Sequence, residues 1–459
     1  MRAVSKGSGA HLRAPLLALL LTAVCAGCTP AGGARDADAV EALHLGVIGD
    51  QTGTDDLDAA YEHLAEGVET LNGRGLDVVL HTGDLVESGL ETDEVRADFE
   101  RARALLDRLD APWMLAPGDH DVNPPGWETG STDRSRETLF LELLREADPS
   151  LGEHFWRARE IGGWRVIALY AHDTLHVDPR WGVTYMAQIG DTQRDWLADA
   201  LREARGGAGI VVFLHQPLWY EWGTWAPVHA LLAEAGVDLV IAGHTHYAQR
   251  DPVIDGVRYM TIGATGGSTK SGSANAGASH HVAEIALRPE TVEVRLLPID
   301  GGAALKPSPR AAMDRVQAVD VMLGRGRVDP SQAPRLEATD CSEPGRVVID
   351  ALGSPIDRPL TLRVSGAALS DPAFREGACH EQPAPVACVT PPGYGVQSSN
   401  NASVTMTRRF AAPFFTARVD DVSSLRDGLD LVLEAAFTYN GETYRLEKAL
   451  FAPPICSSR

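Results

Sequence analysis

The chain has 459 residues, 44% hydrophobic and 23% charged, which describes an ordinary globular protein long enough for two or three domains. Its formal net charge of −22 argues against duplex nucleic acid as a partner, because phosphate backbones are held by a surplus of Lys and Arg. The same charge opposes any anionic substrate unless bound cations invert the local field.

The first 28 residues read as a targeting segment. Arg2, Lys6 and Arg13 form a positive start, and Pro15 to Ala26 is an apolar run too short to span a bilayer comfortably. The run ends in Cys25-Ala26-Gly27-Cys28, which resembles a bacterial lipobox with Cys28 as the lipidated residue. That expectation makes the protein an exported lipoprotein, anchored to the membrane through Cys28 and facing the periplasm or cell exterior. Residues 29–40 read as a tether.

Leu43–Ile48 reads as a first strand and Gly49-Asp50-Gln51-Thr52-Gly53 as the turn after it. Residues 55–71 carry helical spacing (Leu57, Tyr61, Leu64, Val68, Leu71) and stop at Gly73. Leu76–Leu80 is a second buried strand, followed by His81-Thr82-Gly83-Asp84, and a helix follows at about 94–109. Trp113–Ala116 is a third strand, with Pro117-Gly118-Asp119-His120-Asp121 as its turn. Trp164–Tyr170 looks like another strand, and Asp191 is expected to cap a helix ended by Gly206. Ile210–Leu214 runs directly into His215-Gln216-Pro217. Val237–Ala242 is an apolar strand punctuated by Gly243, with His244 and His246 just beyond it. Shorter strands are expected at 259–262, 282–287 and 291–297.

Residues 301–339 are rich in Pro, Gly, Arg and Ala and read as a linker, with one helix expected near 311–323. From residue 340 onward, short alternating runs at 346–349, 360–364, 403–407, 414–419, 429–437 and 443–450 predict a small β-sandwich-like domain. Cys341, Cys379, Cys388 and Cys456 all lie there, an even count that suits two disulfides in an exported protein. Cys379–Cys388 with Cys341–Cys456 is the preferred pairing of the three connectivities. The class is therefore α/β at residues 41–300, followed by a disulfide-stapled β-rich domain at 340–459.

Five expected strands each end in a turn bearing Asp or His: Asp50, Asp84, Asp119-His120, His215, and His244 with His246. One such turn is unremarkable, since Asp is common in turns for its own backbone hydrogen bonds. Five at one sheet edge suggest a shared site, because ligands bind outside the C-terminal ends of strands in open α/β sheets. Hard carboxylates mixed with imidazoles suit a pair of cations such as Mn, Fe or Zn.

The ordered series Gly49-Asp50, Gly83-Asp84, Gly118-Asp119-His120-Asp121, His215 and Gly243-His244-Thr245-His246 resembles the calcineurin-like metallophosphoesterases over about residues 43–298. The resemblance implies an αββα sandwich and a dinuclear metal site that hydrolyses a phosphate ester through a metal-bridging hydroxide. It implies that Asp84 bridges the two ions. Asp50 and His246 complete the first site, and Asp119, His215 and His244 the second. His120 is implied as the general acid over the phosphate, with Asp121 orienting it.

Two positions depart from the family pattern. Thr52 stands where a histidine is usual, and Asp119 stands where an asparagine is usual; Glu87 occupies a position held by tyrosine in the related purple acid phosphatases. Thr52 and Asp119 keep open an alternative, a catalytically degenerate binding lipoprotein. The insert Trp219-Tyr-Glu-Trp222-Gly-Thr-Trp225 fits either stacking on a planar substrate group or packing of a loop against the following helix, and the latter is the expectation. His280 and His281 are expected to be structural.

Overall fold

In a computed structural model, residues 41–328 are described apart from 55, 127–132, 179–181, 221, 270–276 and 290. Beyond 328 the description covers the elements named below. The expected leader and tether, Cys341, Cys456 and the expected run at 403–407 lie outside the described residues.

The first half of the α/β part contains β1 (Leu43–Ile48), α1 (Leu57–Leu71), β2 (Val78–His81), α2 (Thr92–Leu106), β3 (Trp113–Leu115), a single helical turn α3 (Asp119–Val122) and α4 (Ser135–Ala147). The second half contains β4 (Arg157–Ile161), β5 (Trp164–Ala168), a β6–β7 ribbon (Thr174–Asp178, Gly182–Met186) and α5 (Asp191–Glu203). After these come β8 (Gly209–Phe213), α6 (Trp222–Ala235), β9 (Leu239–Ala242), β10 (Gln249–Arg250), β11 (Arg258–Thr261), β12 (His281–Leu287) and β13 (Val292–Pro298). Two sheets result. One has the order β13-β12-β1-β2-β3 with β1, β2 and β3 parallel. The other, with β14 (Ser308–Pro309) at its edge, has the order β14-β10-β11-β9-β8-β5-β4 with β5, β8, β9 and β11 parallel.

The central strands are apolar on both faces because both faces are covered. Leu45, Val47, Leu80, Met114, Phe213 and Ile241 point into the layer between the sheets. Ile48, Val79 and Leu115 turn outward onto α1, α2 and α4. Val212, Val240 and Ala242 turn outward from the second sheet onto α5 and α6. This is an αββα sandwich.

The helices follow their sequence signals. Asp56 caps α1 by accepting from Ala59 N (3.0 Å), and the buried face Ala60, Tyr61, Leu64, Gly67, Val68 and Leu71 keeps the 3–4 residue spacing of one helical stripe. In α5 the cap is Gly190, so Asp191 is the first helical residue, placed to complement the positive end of the helix.

Within the stretch expected as a linker, α7 (Arg310–Val328) buries Ala312, Met313, Val316, Val319 and Leu323. Arg310 lies over the Tyr220 ring at 4.3 Å, and Gln317 Nε2 donates to Tyr247 Oη at 2.5 Å. On its other side Arg315 covers the Tyr439 ring (4.3 Å), and Asp320 lies 3.8 Å from Lys448. The helix thus packs against both the α/β part and the C-terminal strands.

Those strands form a four-stranded sheet, β15-β16-β21-β18 (Arg335–Glu337, Gly345–Asp350, Pro413–Val419, Leu369–Ala373). A five-stranded sheet follows, β19-β20-β17-β22-β23 (Ala378–His380, Ala387–Thr390, Leu360–Ser365, Leu429–Tyr439, Glu442–Ala452). Cys379 stands opposite Cys388 in the register of β19 and β20. Their side chains are outside the described set.

Phe213, fully buried between the two sheets, tests the shared core. Phe213→Ala is expected to lower stability by about 3–5 kcal/mol in urea unfolding, the range for deleting a buried ring from a packed core. A loss below about 1 kcal/mol would show that this layer does not hold the sheets together.

Candidate metal centre

β1, β2, β3, β8 and β9 each end at the same rim of the sandwich, and the turn after each delivers one or two polar side chains to it. Asp50 follows β1, Asp84 follows β2, Asp119 opens α3 after β3, His215 follows β8, and His244 with His246 follow β9. Two ligand-like groups form there: Asp84, Asp119, His215 and His244, and Asp50, Asp84 and His246, with the donor atoms of each group within 4.8 Å of one another. Asp84 belongs to both. All six metal-ligand candidates of the sequence therefore meet at one place.

The backbone is bent unusually to achieve this. Asp50 (φ 53°), Asp84 (59°), His244 (67°) and His246 (57°) lie in the left-handed region, four of the six non-glycine residues there among the described residues. Such conformations cost on the order of 1–3 kcal/mol each and cluster where the surrounding structure imposes them for function. The neighbouring glycines are required by close approach. A Cβ on Gly118 would lie 2.1 Å from Asp84 Oδ1, and one on Gly83, itself at φ 103°, would lie 2.7 Å from His215 Nδ1.

Two of the three imidazoles, His215 and His246, are oriented by a backbone carbonyl. His215 Nδ1 donates to Thr82 O (2.7 Å), which turns Nε2 toward Asp119 Oδ1 (3.0 Å) and Asp84 Oδ2 (3.2 Å). His246 Nδ1 donates to Ser268 O (2.6 Å), leaving Nε2 toward Asp50, 3.9 Å away. His244 Nδ1 is 3.1 Å from Asp119 Oδ1, and its backbone N–H donates to Asp50 Oδ1 (2.6 Å). A carbonyl behind the ring and a free nitrogen ahead of it is the arrangement that metal-ligating histidines use.

Charge supports the same reading. Burial opposes the ionised form of Asp50 and raises its pKa, and Oδ2 of this residue is buried without a hydrogen-bond partner. Burial disfavours imidazolium at His215, yet the Asp84 and Asp119 carboxylates outweigh it and raise that ring's pKa well above the ordinary value. For Asp119, burial is outweighed by hydrogen bonds from His215 and His244, which hold its pKa well below normal. A proton on His215 is thus what balances the carboxylates, and metal binding exchanges such a proton for a cation. The residues fit two cations sharing Asp84.

His120 stands beside these groups, its backbone N–H donating to Asp84 Oδ1 (3.0 Å). Its Nδ1 pairs directly with Glu87 Oε1. Burial works against the imidazolium, but the Glu87 hydrogen bond and the Asp84 charge together carry the ring's pKa up to about 9. Glu87 is fixed in turn by Gly53 N (2.8 Å) and Ser88 N (2.9 Å).

The expectation that Asp121 orients His120 is corrected by this geometry. Asp121 is fully buried, and its Oδ1 accepts from Leu85 N and Val86 N (both 2.8 Å). Its Oδ2 accepts from Asp84 N (2.9 Å) and Gly118 N (2.8 Å). Four backbone donors leave no oxygen for the neighbouring ring, so Asp121 staples the second turn to the third.

Gln51 spans His81 Nε2 and Leu85 O (both 3.0 Å), so it supports the turn rather than meeting the ligand groups. Thr52 Oγ1 is buried without a hydrogen-bond partner. Trp219 and Trp225 are buried and pack on Tyr259 (ring centroids 4.9 and 6.4 Å), which is the packing reading of the aromatic insert. The side chain of Trp222 lies outside the described residues. His280 packs at a tilt against His63 (ring centroids 4.2 Å) and donates to Gly267 O (2.8 Å).

Two residues beside the site were missed. Gln216 Nε2 donates to Asp119 Oδ1 (2.8 Å) and lies 3.2 Å from His172 Nε2. Burial lowers the His172 pKa to about 4, which keeps that ring neutral. The available signal was position, since His172 follows an apolar strand at the same rim.

Because Asp84 lies in both groups, the ligand sets predict distinct metal counts after loading with Mn and desalting. Elemental analysis should find about two ions per wild-type chain, about one after His246→Ala, and one or fewer after Asp84→Ala. Equal counts for all three proteins would contradict the shared-ligand arrangement.

Residues 43–248 match the family model for calcineurin-like phosphoesterases. An uncharacterised protein of Mycobacterium tuberculosis (strain H37Rv) is 29% identical over 194 residues, which is 39% of this chain and 35% of that protein. A probable cyclic nucleotide phosphodiesterase of Synechococcus sp. is 27% identical over 147 residues, 32% of this chain and 45% of that protein. The chain thus spans less than half the length of these curated relatives. Among solved structures, a dimetal phosphatase from Danio rerio aligns at a TM-score of 0.44 and 14% identity, over 57% of this chain and 98% of its own. The matched range contains all of the rim turns, and the chain carries a calcineurin-like phosphoesterase domain over residues 43–248.

Proposed function

We propose that this protein hydrolyses a phosphate ester at the rim site with the help of two metal ions. The observation that carries the proposal is the convergence of two overlapping Asp/His groups on Asp84. Asp50, Asp84 and His246 would hold one cation, and Asp84, Asp119, His215 and His244 the other. Such a pair supplies Lewis acidity toward phosphate oxygens and lowers the pKa of bound water.

The protein's own groups supply the rest. Glu87 anchors Nδ1 of His120, so Nε2 is the nitrogen free to meet the departing oxygen. Glu87 and Asp84 keep the ring protonated, as a general acid requires. Asp121 and the two glycines keep the second and third turns at the spacing that aligns Asp84 with His120. In the overall reaction one P–O bond to the alcohol breaks and one P–O bond to water's oxygen forms. His120 gives a proton to the leaving alcohol, and the attacking water loses one.

The setting is proposed to be outside the cytoplasm, with lipid on Cys28 holding the chain to the membrane. The charged start, the short apolar run and the placement of the remaining cysteines support it. The division into a phosphoesterase domain at 41–300 and a β-rich domain at 340–459 belongs to the same proposal. A second reading, a binding lipoprotein without turnover, draws on Thr52, which offers a hydroxyl where the family offers an imidazole.

The test is hydrolysis of an aryl phosphate ester by the Mn-loaded chain. His120→Ala should cost on the order of 10²–10⁴-fold in kcat, the usual weight of a general acid. Glu87→Gln should cost about tenfold or more in kcat with little change in KM, as expected for a group acting through His120. A chain that binds two ions yet turns over no ester would favour the binding reading.

A further inference from the structure

Asp119 is set apart from the other candidate ligands by its position. The side chains of Asp50 and Asp84 are 0% and 2% exposed, whereas those of Asp119 and His244 are 20% and 42% exposed. The open side of the centre is therefore formed by Asp119 and His244, with His120 and Glu87 next to them (23% and 18%). A substrate approaching from this side meets the Asp119 carboxylate. Among the described residues, Oδ1 takes all of its hydrogen bonds, from His215, His244 and Gln216. Its Oδ2 is an acceptor and carries charge, so it offers a phosphate oxygen no donor.

The charge count follows from the ligand set. Two divalent cations bring four positive charges and the carboxylates of Asp50, Asp84 and Asp119 return three, so one remains. The Glu87 carboxylate is already engaged by His120 Nδ1, Gly53 N and Ser88 N. The hydroxide that attacks takes that remaining charge, so a phosphodiester adds one negative charge to the site. A phosphomonoester carries nearly two at neutral pH, since its second ionisation lies near pH 6. Its extra charge would face the Asp119 carboxylate at the open side.

We infer that the rim site selects phosphodiester monoanions over phosphomonoester dianions, with Asp119 as the residue that sets the preference. The inference rests on the phosphoester reading above and narrows it to one ester class. One water is consumed per turnover, one P–O bond is exchanged, and the products are an alcohol and a phosphomonoester. That product ionises a second time and is thereby disfavoured, so the second ester bond is cleaved more slowly than the first. The protein would act on substrates made by reactions that join two alcohols through one phosphate, and would feed a monoesterase.

The test uses the whole chain loaded with Mn²⁺ at neutral pH. Wild type should hydrolyse bis(p-nitrophenyl) phosphate with a kcat/KM at least about tenfold above that for p-nitrophenyl phosphate, given one unit charge of difference at close range. Asp119→Asn should shrink that ratio about tenfold or more, mainly through KM for the monoester. Calorimetry supplies a readout independent of turnover. Asp119→Asn should tighten inorganic phosphate about tenfold and change dimethyl phosphate by no more than about threefold. A wild-type preference for the monoester overturns the inference, as does an unmoved ratio in an Asp119→Asn protein that keeps both ions. If that variant loses an ion, the wild-type ester preference and the relative binding of the two phosphates decide. If two ions bind and neither ester is cleaved, the hydrolase reading fails, and the calorimetry still tests the charge argument.

Discussion

Three carboxylates, Asp50, Asp84 and Asp119, are packed against His215, His244 and His246 at a largely buried rim, and like charges so placed cannot all remain ionised without a positive partner. A proton on His215 can serve, but two cations satisfy every member of the set at once and give the unpartnered Asp50 Oδ2 a role. That electrostatic demand explains why four residues tolerate left-handed backbone at this rim. It also explains why glycine precedes so many of them, since a side chain there would occupy the space the carboxylates and rings now share.

The sandwich makes the gathering possible. Parallel strands β1, β2 and β3 in one sheet and β8 and β9 in the other end at a common edge, and their apolar side chains lock the sheets together just beneath it. Asp121 then ties the second turn to the third through four backbone donors, and Asp119 meets His215 across the two sheets. The site's precision is therefore built from backbone hydrogen bonds as much as from the ligands themselves.

Much of this was legible in the sequence because the signals were local. An apolar run ending in Gly-Asp or Gly-His states both a strand and the polar turn that closes it, and order along the chain was enough to group the six candidate ligands. Partners distant in sequence were not legible. Glu87 and Asp121 are both acidic and both reach the neighbourhood of His120. Adjacency favoured Asp121, whereas the fold turns that carboxylate inward and brings Glu87 across from the preceding turn. Gln216 and His172 went unnoticed for the same reason, since their meeting depends on how β5 and β8 pair. A helix near 311–323 was legible, but its surroundings read as linker because the Arg, Gly and Ala content hides an apolar face that only the facing strands make evident.

The central claim is that two cations share the Asp84 carboxylate at this rim. Anomalous diffraction from crystals of the Mn-loaded chain tests it most directly. The account predicts two peaks about 3.5–4 Å apart with Asp84 between them, one flanked by Asp50 and His246 and the other by Asp119, His215 and His244. A single peak, or peaks away from Asp84, would contradict it.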